Sequence, residues 1–273
     1  MKFADLHLHT VFSDGTYTPK QLIQESINAG LSSIAVVDHD TVDGLESALK
    51  SAQNQDLEVL PGVELTAEYQ GREIHILGYL IDFKNRALID ALNTLQKNRK
   101  LRIYKMVNKL SKMGLKLQAK SVFDISQDST VGRLHVARAM VKQGLVGSIQ
   151  EAFRKYIGDK CQGYVLGFRL SPQEAVKLIK QAGGIPVLAH PCTISKNELI
   201  PRLIECGIMG LEVYYPGYAQ PTVDYYLKMA KEYNLLVTGG SDYHGDVKPE
   251  VKLGCIKIPY DLVESLREAK NKL

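Results

Sequence analysis

The stretch ADLHLHTVFSDGT, residues 4–16, puts His7 and His9 one residue apart at the end of an apolar run and follows them with Asp14 in a glycine-containing turn. In a strand, residues i and i+2 point to the same face. The two imidazoles then converge on one point, and a carboxylate on the following loop can reach back to them. That is half of a metal site, although an isolated His-x-His serves equally well as a buried, hydrogen-bonded pair. The rest of the chain supplies the other half. Six of the seven histidines lie at or beside strand-like runs: His7, His9, His39 in VVDHD, His75 in HILGY, His190 in LAHP and His244 in GGSDYH. Glu64 in GVEL and Asp242 in GGSDYH occupy equivalent places.

The candidate ligands are therefore His7, His9, Asp14, His39, Glu64, His75, His190, Asp242 and His244. An ion takes three or four protein ligands, so this set suits two or three divalent metals sharing a bridging carboxylate. Mixed imidazole and carboxylate donors favour zinc, manganese or iron over calcium. Metals roughly 3.5–4 Å apart clamp the attacking and leaving oxygens of a phosphoester. No nucleophilic serine or cysteine motif is present, so water activated at the metals is the expected nucleophile.

Such a set meets only if strand ends are gathered at one place. Short apolar runs alternate with helix-length periodic segments. FADLHL precedes a helix opening at Pro19 and ending at Gly30, the expected proline-first, glycine-last punctuation. SSIAVVDH and LEVLPGVEL are further strands, and TAEYQGREIHILGYL reads as a hairpin turning at Gln70-Gly71. Residues 86–166 break the alternation. Leu88, Leu92, Leu95, Ile103, Met106, Leu110 and Met113 mark one long amphipathic helix, with Arg99 where the next apolar residue should fall. GRLHVARAMVKQGL and SIQEAFRKYIG add two shorter helices. From Pro172 the alternation resumes through IPVLAH, GLEVYY and LLVTGGSDYH, and a last strand-like piece, LGCIKIP, precedes a closing helix. Seven core strands separated mostly by helices predict an α/β fold, a (βα)7 barrel built from residues 1–85 and 167–273, with 86–166 as a helical insertion.

Charge supports a phosphate-bearing substrate. The net charge is only +4, but residues 84–120 hold 11 Lys/Arg against the single acid Asp90. A basic segment on an otherwise acidic body is either a solvated helix face or a surface that attracts anions. Four widely spaced cysteines without C-x-x-C, no membrane-length apolar run and no signal-peptide pattern predict a cytoplasmic protein. No obligate protein partner is implied.

DLHLHTVFSDG, VVDHDTVDG, GVEL, HILGY, LAHP and GGSDYHG, in this order, resemble the PHP (polymerase and histidinol phosphatase) domain across nearly the whole chain. GRLHVARAM followed by AFRKYIG resembles the subgroup of nucleoside 3',5'-bisphosphate phosphatases and 5'-to-3' exoribonucleases. The resemblance implies a distorted seven-stranded barrel with a manganese-supported trinuclear centre, zinc, iron or magnesium being alternatives. By position, His7, His9, Glu64 and Asp242 would hold one metal; Glu64, His75 and His190 a second, with Glu64 bridging; Asp14, His39 and His244 a third. It also implies that Arg133 and His135 face the substrate phosphate, His135 donating to it or to the leaving oxygen, with Arg99 and Arg102 as further phosphate contacts. Two departures touch substrate contacts and no metal ligand: Leu134 stands where proline is common, and Cys192-Thr193 where a basic residue often follows Ala-His-Pro.

The expected activity is hydrolysis of a 3',5'-bisphosphonucleotide to a 5'-mononucleotide. The alternatives are a 5'-to-3' exoribonuclease acting on short 5'-phosphorylated RNA and a histidinol-phosphate phosphatase, which would have no need of the basic insertion. An inactive accessory module fits poorly with nine retained donors, and a plain nucleic-acid-binding protein leaves them unexplained. Tyr104, Tyr156, Tyr164, Phe168, Tyr214, Tyr215 and Tyr218 are available to stack bases.

Overall fold

A computed structural model describes residues 2–127, 129–167, 169–194 and 197–273. It shows an α/β barrel-like fold built on one eight-stranded sheet: β1 (Phe3–Leu8), β2 (Ser33–Val36), β3 (Glu58–Tyr69), β4 (Arg72–Tyr79), β5 (Ile185–Leu188), β6 (Gly210–Tyr214), β7 (Leu236–Gly239) and β8 (Ile258–Pro259), in the order β7-β6-β5-β4-β3-β2-β1-β8. The eighth strand is the LGCIKIP piece. Two of its residues pair antiparallel with β1, so the sheet exceeds the expected seven core strands by one short edge. The ring nearly closes where Tyr243, just after β7, exchanges backbone hydrogen bonds with His7 and His9 (Tyr243 N–H to His7 O, 3.3 Å; His9 N–H to Tyr243 O, 3.0 Å).

Around the sheet lie α1 (Pro19–Asn28), α2 (Leu45–Ser51), α3 (Arg86–Lys112), α4 (Ala119–Ser126), α5 (Arg133–Lys142), α6 (Ile149–Ala152), α7 (Pro172–Gln181), α8 (Ile200–Glu205), α9 (Gln220–Glu232) and α10 (Asp261–Lys270). Local sequence explains their starts. Thr18 and Ser171 accept the Gln21 and Glu174 N–H groups in capping boxes, each with proline in the first turn. The α4 helix was not evident from periodicity, and α6 runs into a π-helical turn, Phe153–Ile157. No helix among the described residues is long and apolar enough to cross a membrane.

Two features depart from a parallel barrel. The hairpin at Gln70-Gly71 forms as expected, both turn residues having positive φ (51° and 76°), which suits a tight two-residue connection. It makes β4 antiparallel to both β3 and β5, so His75 reaches the site from the first half of its strand. A bulge between Asp5 and Leu8 interrupts the β1–β2 ladder where the histidines begin; such irregularities re-aim side chains beside active sites.

The apolar side chains separate into three cores. One gathers Ala4, Leu6, Leu60, Leu77, Tyr79 and Val187 with Val263 and Leu266 of α10. The largest joins the sheet to the surrounding helices. The third belongs to the insertion, from Ile103 to Val165. Helix α3 spans two of them: Leu88, Leu92 and Leu95 pack on the barrel, while Ile103, Met106 and Leu110 pack in the insertion. Arg99 interrupts the apolar seam where the two cores part. Its guanidinium clips Asp40 and Thr66 of the barrel (2.7 Å each) to the Val131 carbonyl (3.3 Å).

Closure depends on the absence of a side chain at Gly240. A Cβ there would lie 2.4 Å from His7 N and 2.9 Å from Asp5 Oδ1, contacts that cannot be relieved without moving β1. Gly240→Ala is expected to cost about 3 kcal/mol, in the range of core overpacking, and to weaken metal binding with it. Denaturant titration checks this, and a loss below 0.5 kcal/mol would remove the closure argument.

Candidate metal centre

The predicted ligands arrive from six of the strands and the loops that follow them. His7 and His9 lie in and just after β1, His39 after β2, Glu64 within β3, His75 in β4, His190 after β5, and Asp242 and His244 after β7. Asp14 comes from the loop that Asp38 holds: its carboxylate accepts Thr10 N–H (2.7 Å), Thr10 Oγ1–H (2.6 Å) and Ser13 Oγ–H (2.6 Å). His190 and Asp242 have φ of 28° and 50°, a region non-glycine residues rarely adopt. Buried carboxylates anchor both. Glu212 Oε2 accepts the His190 N–H (2.7 Å), and Asp5 Oδ1 accepts the Ser241 N–H (2.8 Å).

The nine side chains converge. Glu64 Oε2 lies within 3.2 Å of His7 Nε2, His9 Nε2 and His39 Nδ1, while Oε1 lies 2.8 Å from His75 Nδ1 and 3.1 Å from His190 Nε2. Asp242 Oδ1 is 3.2 Å from His9 Nε2, and Asp14 Oδ1 is 3.2 Å from His244 Nε2. Three groups have donor atoms mutually within 4.8 Å: His7, His9, Glu64 and Asp242; His39, Glu64 and His75; His9, Asp14, His39 and His244. The first is the set expected for one metal. In the second group His39 stands where His190 was expected, His190 belonging to none of the three although its Nε2 lies 3.1 Å from Glu64 Oε1, and in the third His9 joins Asp14, His39 and His244.

Hydrogen bonds account for only part of this arrangement, those of His7 and His190 to Glu64. Both ring nitrogens of His9, His39 Nδ1, His75 Nδ1 and Asp14 Oδ1 are buried, and their close neighbours are not aligned for hydrogen bonding. Buried polar groups are normally paired. More donor atoms crowd around shared points than the hydrogen bonds from His7 and His190 to Glu64 satisfy, which is what cations require, so the donor set fits divalent metals.

The charge balance says the same. Burial opposes ionisation of Asp14, Glu64 and Asp242. The facing imidazoles outweigh it, with Lys248 the largest such influence on Asp242, and hold all three carboxyls well below their usual range. Burial also opposes charge on His9 and His75, yet neighbouring carboxylates raise them to about 9 and about 10. Without a cation, protons neutralise the cluster. His39, with burial dominant, is pushed well below 6.5.

A surrounding layer was not singled out from sequence. Glu212 accepts from His7 Nδ1 (2.7 Å), leaving Nε2 to face the centre. A carboxylate behind a ligating histidine fixes its tautomer and orientation. Tyr215 Oη–H (2.7 Å) and Lys248 Nζ (2.9 Å) bind Asp242 Oδ2. The available signal was an acid inside an apolar strand: Asp5 in FADLHL, Asp38 in VVDH, Glu212 in GLEVYY.

A cavity of about 410 Å³ opens from the ligands toward the insertion, lined by Asp14, His75, His190, Arg99, Arg102 and Arg133 among others. Arg133 reaches Glu73 Oε1 (3.1 Å) and the exposed Asp159 (2.5 Å). Arg102 donates to the Val165 carbonyl (2.7 Å), and burial lowers its pKa to about 10. Arg99 is committed to its clip. His135 is buried and is not among the cavity-lining residues. Its Nδ1 accepts the Gly132 N–H (3.1 Å) at the start of α5, which places the proton of the neutral ring on Nε2. Burial pushes its pKa down to about 4, so at neutral pH it is a hydrogen-bond donor and not a cation. Of the aromatic candidates, Tyr164 lies over Arg102 and Arg133 (5.3 and 5.4 Å) and Tyr215 beside His190 (5.5 Å). Tyr104 is exposed against Phe123, Tyr156 packs at the insertion core and Tyr214 and Tyr218 at the barrel core. Phe168 lies outside the described residues.

Two measurements follow. Glu212→Gln is expected to weaken metal affinity by roughly 10–100-fold, read by competition with a chelating dye; unchanged affinity would contradict its role behind His7. In the metal-free chain His9 and His75 have folded pKa values above the unfolded value of about 6.5. Their contribution to stability is full below that pH and is lost as pH rises through about 9 to about 10. Chelated protein should therefore show a Tm that falls across that window, whereas metal-loaded protein should not; parallel profiles would count against the charge balance.

Comparison with known proteins places this geometry. The PHP domain family matches residues 5–159. A 5'-3' exoribonuclease of Haemophilus influenzae is 30% identical over 88% of this chain and 89% of its own. A 3',5'-nucleoside bisphosphate phosphatase of Chromobacterium violaceum is 30% identical over 88% and 86%. The crystal structure of a candidate metal-dependent phosphoesterase from Bifidobacterium adolescentis superimposes with a TM-score of 0.89 at 32% identity, covering 96% of this chain and 94% of that one. With a matching family, matching fold and a converged His/Asp/Glu cluster, the chain belongs to the PHP domain family and is a metal-dependent phosphoesterase.

Proposed function

We propose that the enzyme removes the 3'-phosphate of a nucleoside 3',5'-bisphosphate, leaving the 5'-mononucleotide. The observation that carries this is that one cavity of about 410 Å³ is lined both by residues of the histidine–carboxylate cluster and by Arg102 and Arg133. A small substrate with two phosphates satisfies both sides at once. We assign His7, His9, Glu64 and Asp242 to one metal, Glu64, His75 and His190 to a second, and Asp14, His39 and His244 to a third, manganese being the metal of choice and zinc, iron or magnesium the alternatives. Two or three divalent ions held there would polarise the phosphoryl oxygens and supply hydroxide near neutral pH.

The chain's own groups do the rest. The Arg133 guanidinium offers a planar fork to a phosphate, and Arg102 adds a second positive charge on the same wall. Neutral His135 fixes the start of α5, and with it Arg133, through its Nδ1 contact; donation from its Nε2–H to a phosphate or leaving-group oxygen would require this buried edge to be uncovered. Arg99 contributes field and joins insertion to barrel. The insertion, residues 86–166, closes the substrate side.

A second reading, a 5'-to-3' exoribonuclease on short 5'-phosphorylated RNA, is supported by the basic run of residues 84–120 and by the name of the Haemophilus influenzae relative. The arginine wall would then take the RNA's terminal phosphate. Histidinol phosphate would leave that wall unused.

The test is phosphate release from 3',5'-bisphosphoadenosine by the manganese-loaded enzyme, beside nucleotide release from a 5'-phosphorylated oligoribonucleotide. Asp242→Asn is expected to abolish turnover. Arg133→Ala is expected to raise KM about 10–100-fold, the weight of a charge-assisted contact. Stepwise release of mononucleotides with little bisphosphate turnover would favour the second reading, and turnover of neither substrate would overturn both.

A further inference from the structure

In the cavity wall, one carboxylate gathers three arginines. Glu73, on β4, binds Arg133 Nη2 through Oε1 (3.1 Å), Arg169 Nη2 through Oε2, and stands 3.6 Å from Arg102 Nη2. Arg102 is 8% exposed and the Arg169 side chain 2%. Three largely buried guanidiniums against one largely buried carboxylate leave two positive charges uncompensated. Asp159, which also meets Arg133, is exposed and screened. Donors are left over as well: among the described residues, Arg102 Nη2 and Arg169 Nε and Nη1 are buried without a hydrogen-bond partner. Unpaired buried donors of this kind are costly. A carboxylate has too few oxygens and too little charge for so many guanidinium N–H groups; a terminal phosphate has three oxygens and a second charge.

We propose that Glu73 is a built-in placeholder for the substrate's second anionic group. In the empty enzyme it keeps Arg102, Arg133 and Arg169 gathered against their mutual repulsion. When a terminal phosphate arrives beside Arg133 and Arg102, Glu73 competes with it for the same donors, which sets how tightly the anion is held and how readily the product leaves. The same carboxylate lies 3.3 Å from His75 Nε2, so it also touches the ligand cluster. Were it only a support for that histidine, removing its charge would leave anion affinity unchanged or lower it. As a competitor, it has the opposite effect. This inference rests on the reading that the substrate carries a second phosphate at the arginine wall.

The experiment is calorimetric binding of adenosine 5'-monophosphate to the manganese-loaded enzyme, with metal content and melting temperature measured for every variant. Glu73→Gln keeps the shape and the acceptor facing His75 while removing the charge. It is expected to bind the nucleotide roughly tenfold more tightly or better, as loss of one adjacent like charge at short range implies, and to turn over more slowly if product release limits the rate. Adding Arg102→Ala to that variant should cancel the gain, which locates it at the arginines and not at the metals. Glu73→Asp, which draws the charge back from Arg169 by one methylene, should give a smaller gain. Unchanged or weaker binding by folded, metal-loaded Glu73→Gln overturns the proposal, as does loss of fold or metal in both Glu73 variants, since Glu73 would then be a structural support. Because binding is read without turnover, an enzyme that ignores the bisphosphate yet shows this Glu73-dependent affinity loses the proposed reaction and keeps the placeholder.

Discussion

The centre is organised by one buried carboxylate. Glu64 is inaccessible to solvent, and its two oxygens face nitrogens of five imidazoles. No two-oxygen acceptor forms well-directed hydrogen bonds with five rings at once, and a buried carboxylate without compensation is prohibitively expensive. Cations shared among these donors resolve both problems. The strand arrangement follows from the same need. β3 runs through the site instead of ending at it, and its hairpin partner β4 delivers His75 opposite Thr66, two residues along from Glu64. A uniformly parallel barrel would carry that histidine to the other end of its strand.

Holding six histidines and three carboxylates in place demands support that the ligands cannot supply themselves. Asp5, Asp38 and Glu212 are buried acids with no place at the centre, and each spends its oxygens on backbone or side-chain donors of the loops that carry ligands. Asp5 shows the cost. Burial outweighs the N–H groups it accepts and raises its pKa to about 6. His190 and Asp242 sit in left-handed backbone conformations that persist because Glu212 and Asp5 fix the adjacent peptides. Strain maintained by surrounding hydrogen bonds is characteristic of preorganised sites.

The insertion brings Arg102 and Arg133 to the cavity beside the histidine–carboxylate cluster. Its core is separate from the barrel's, and the two meet along α3, where Arg99 joins them and Arg102 faces inward. The basic composition of this segment has two physical components. Most of its lysines are exposed and contribute a diffuse field, which salt screens within roughly 8 Å. Arg102 and Arg133 are held in low-dielectric surroundings beside Glu73, where charge acts at short range and with direction.

Which side chains converge at the candidate centre was legible in the sequence. His-x-His, Glu64 in GVEL, His190 in LAHP and Asp242 with His244 in GGSDYH announce themselves because polar metal donors rarely end apolar strand runs. The hairpin at Gln70-Gly71, the long α3 and the proline-opened starts of α1 and α7 were equally plain, since turn glycines, a 3–4-residue apolar spacing and first-turn prolines are local signals. Grouping of the ligands was not local. His39 lies between Glu64 and Asp14, and His9 contacts two groups, because their positions depend on how far each loop folds inward. Nor could spacing reveal that Arg99 is tied to Asp40, that His135 caps its own helix, or that Glu73 gathers three arginines from α3, α5 and the segment before α7. Residue type and order determined which chemistry is available to this protein. Which side chain faces which was decided by the pairing of β4 with β5, the bulge in β1 and the docking of the insertion, all of them consequences of long-range packing.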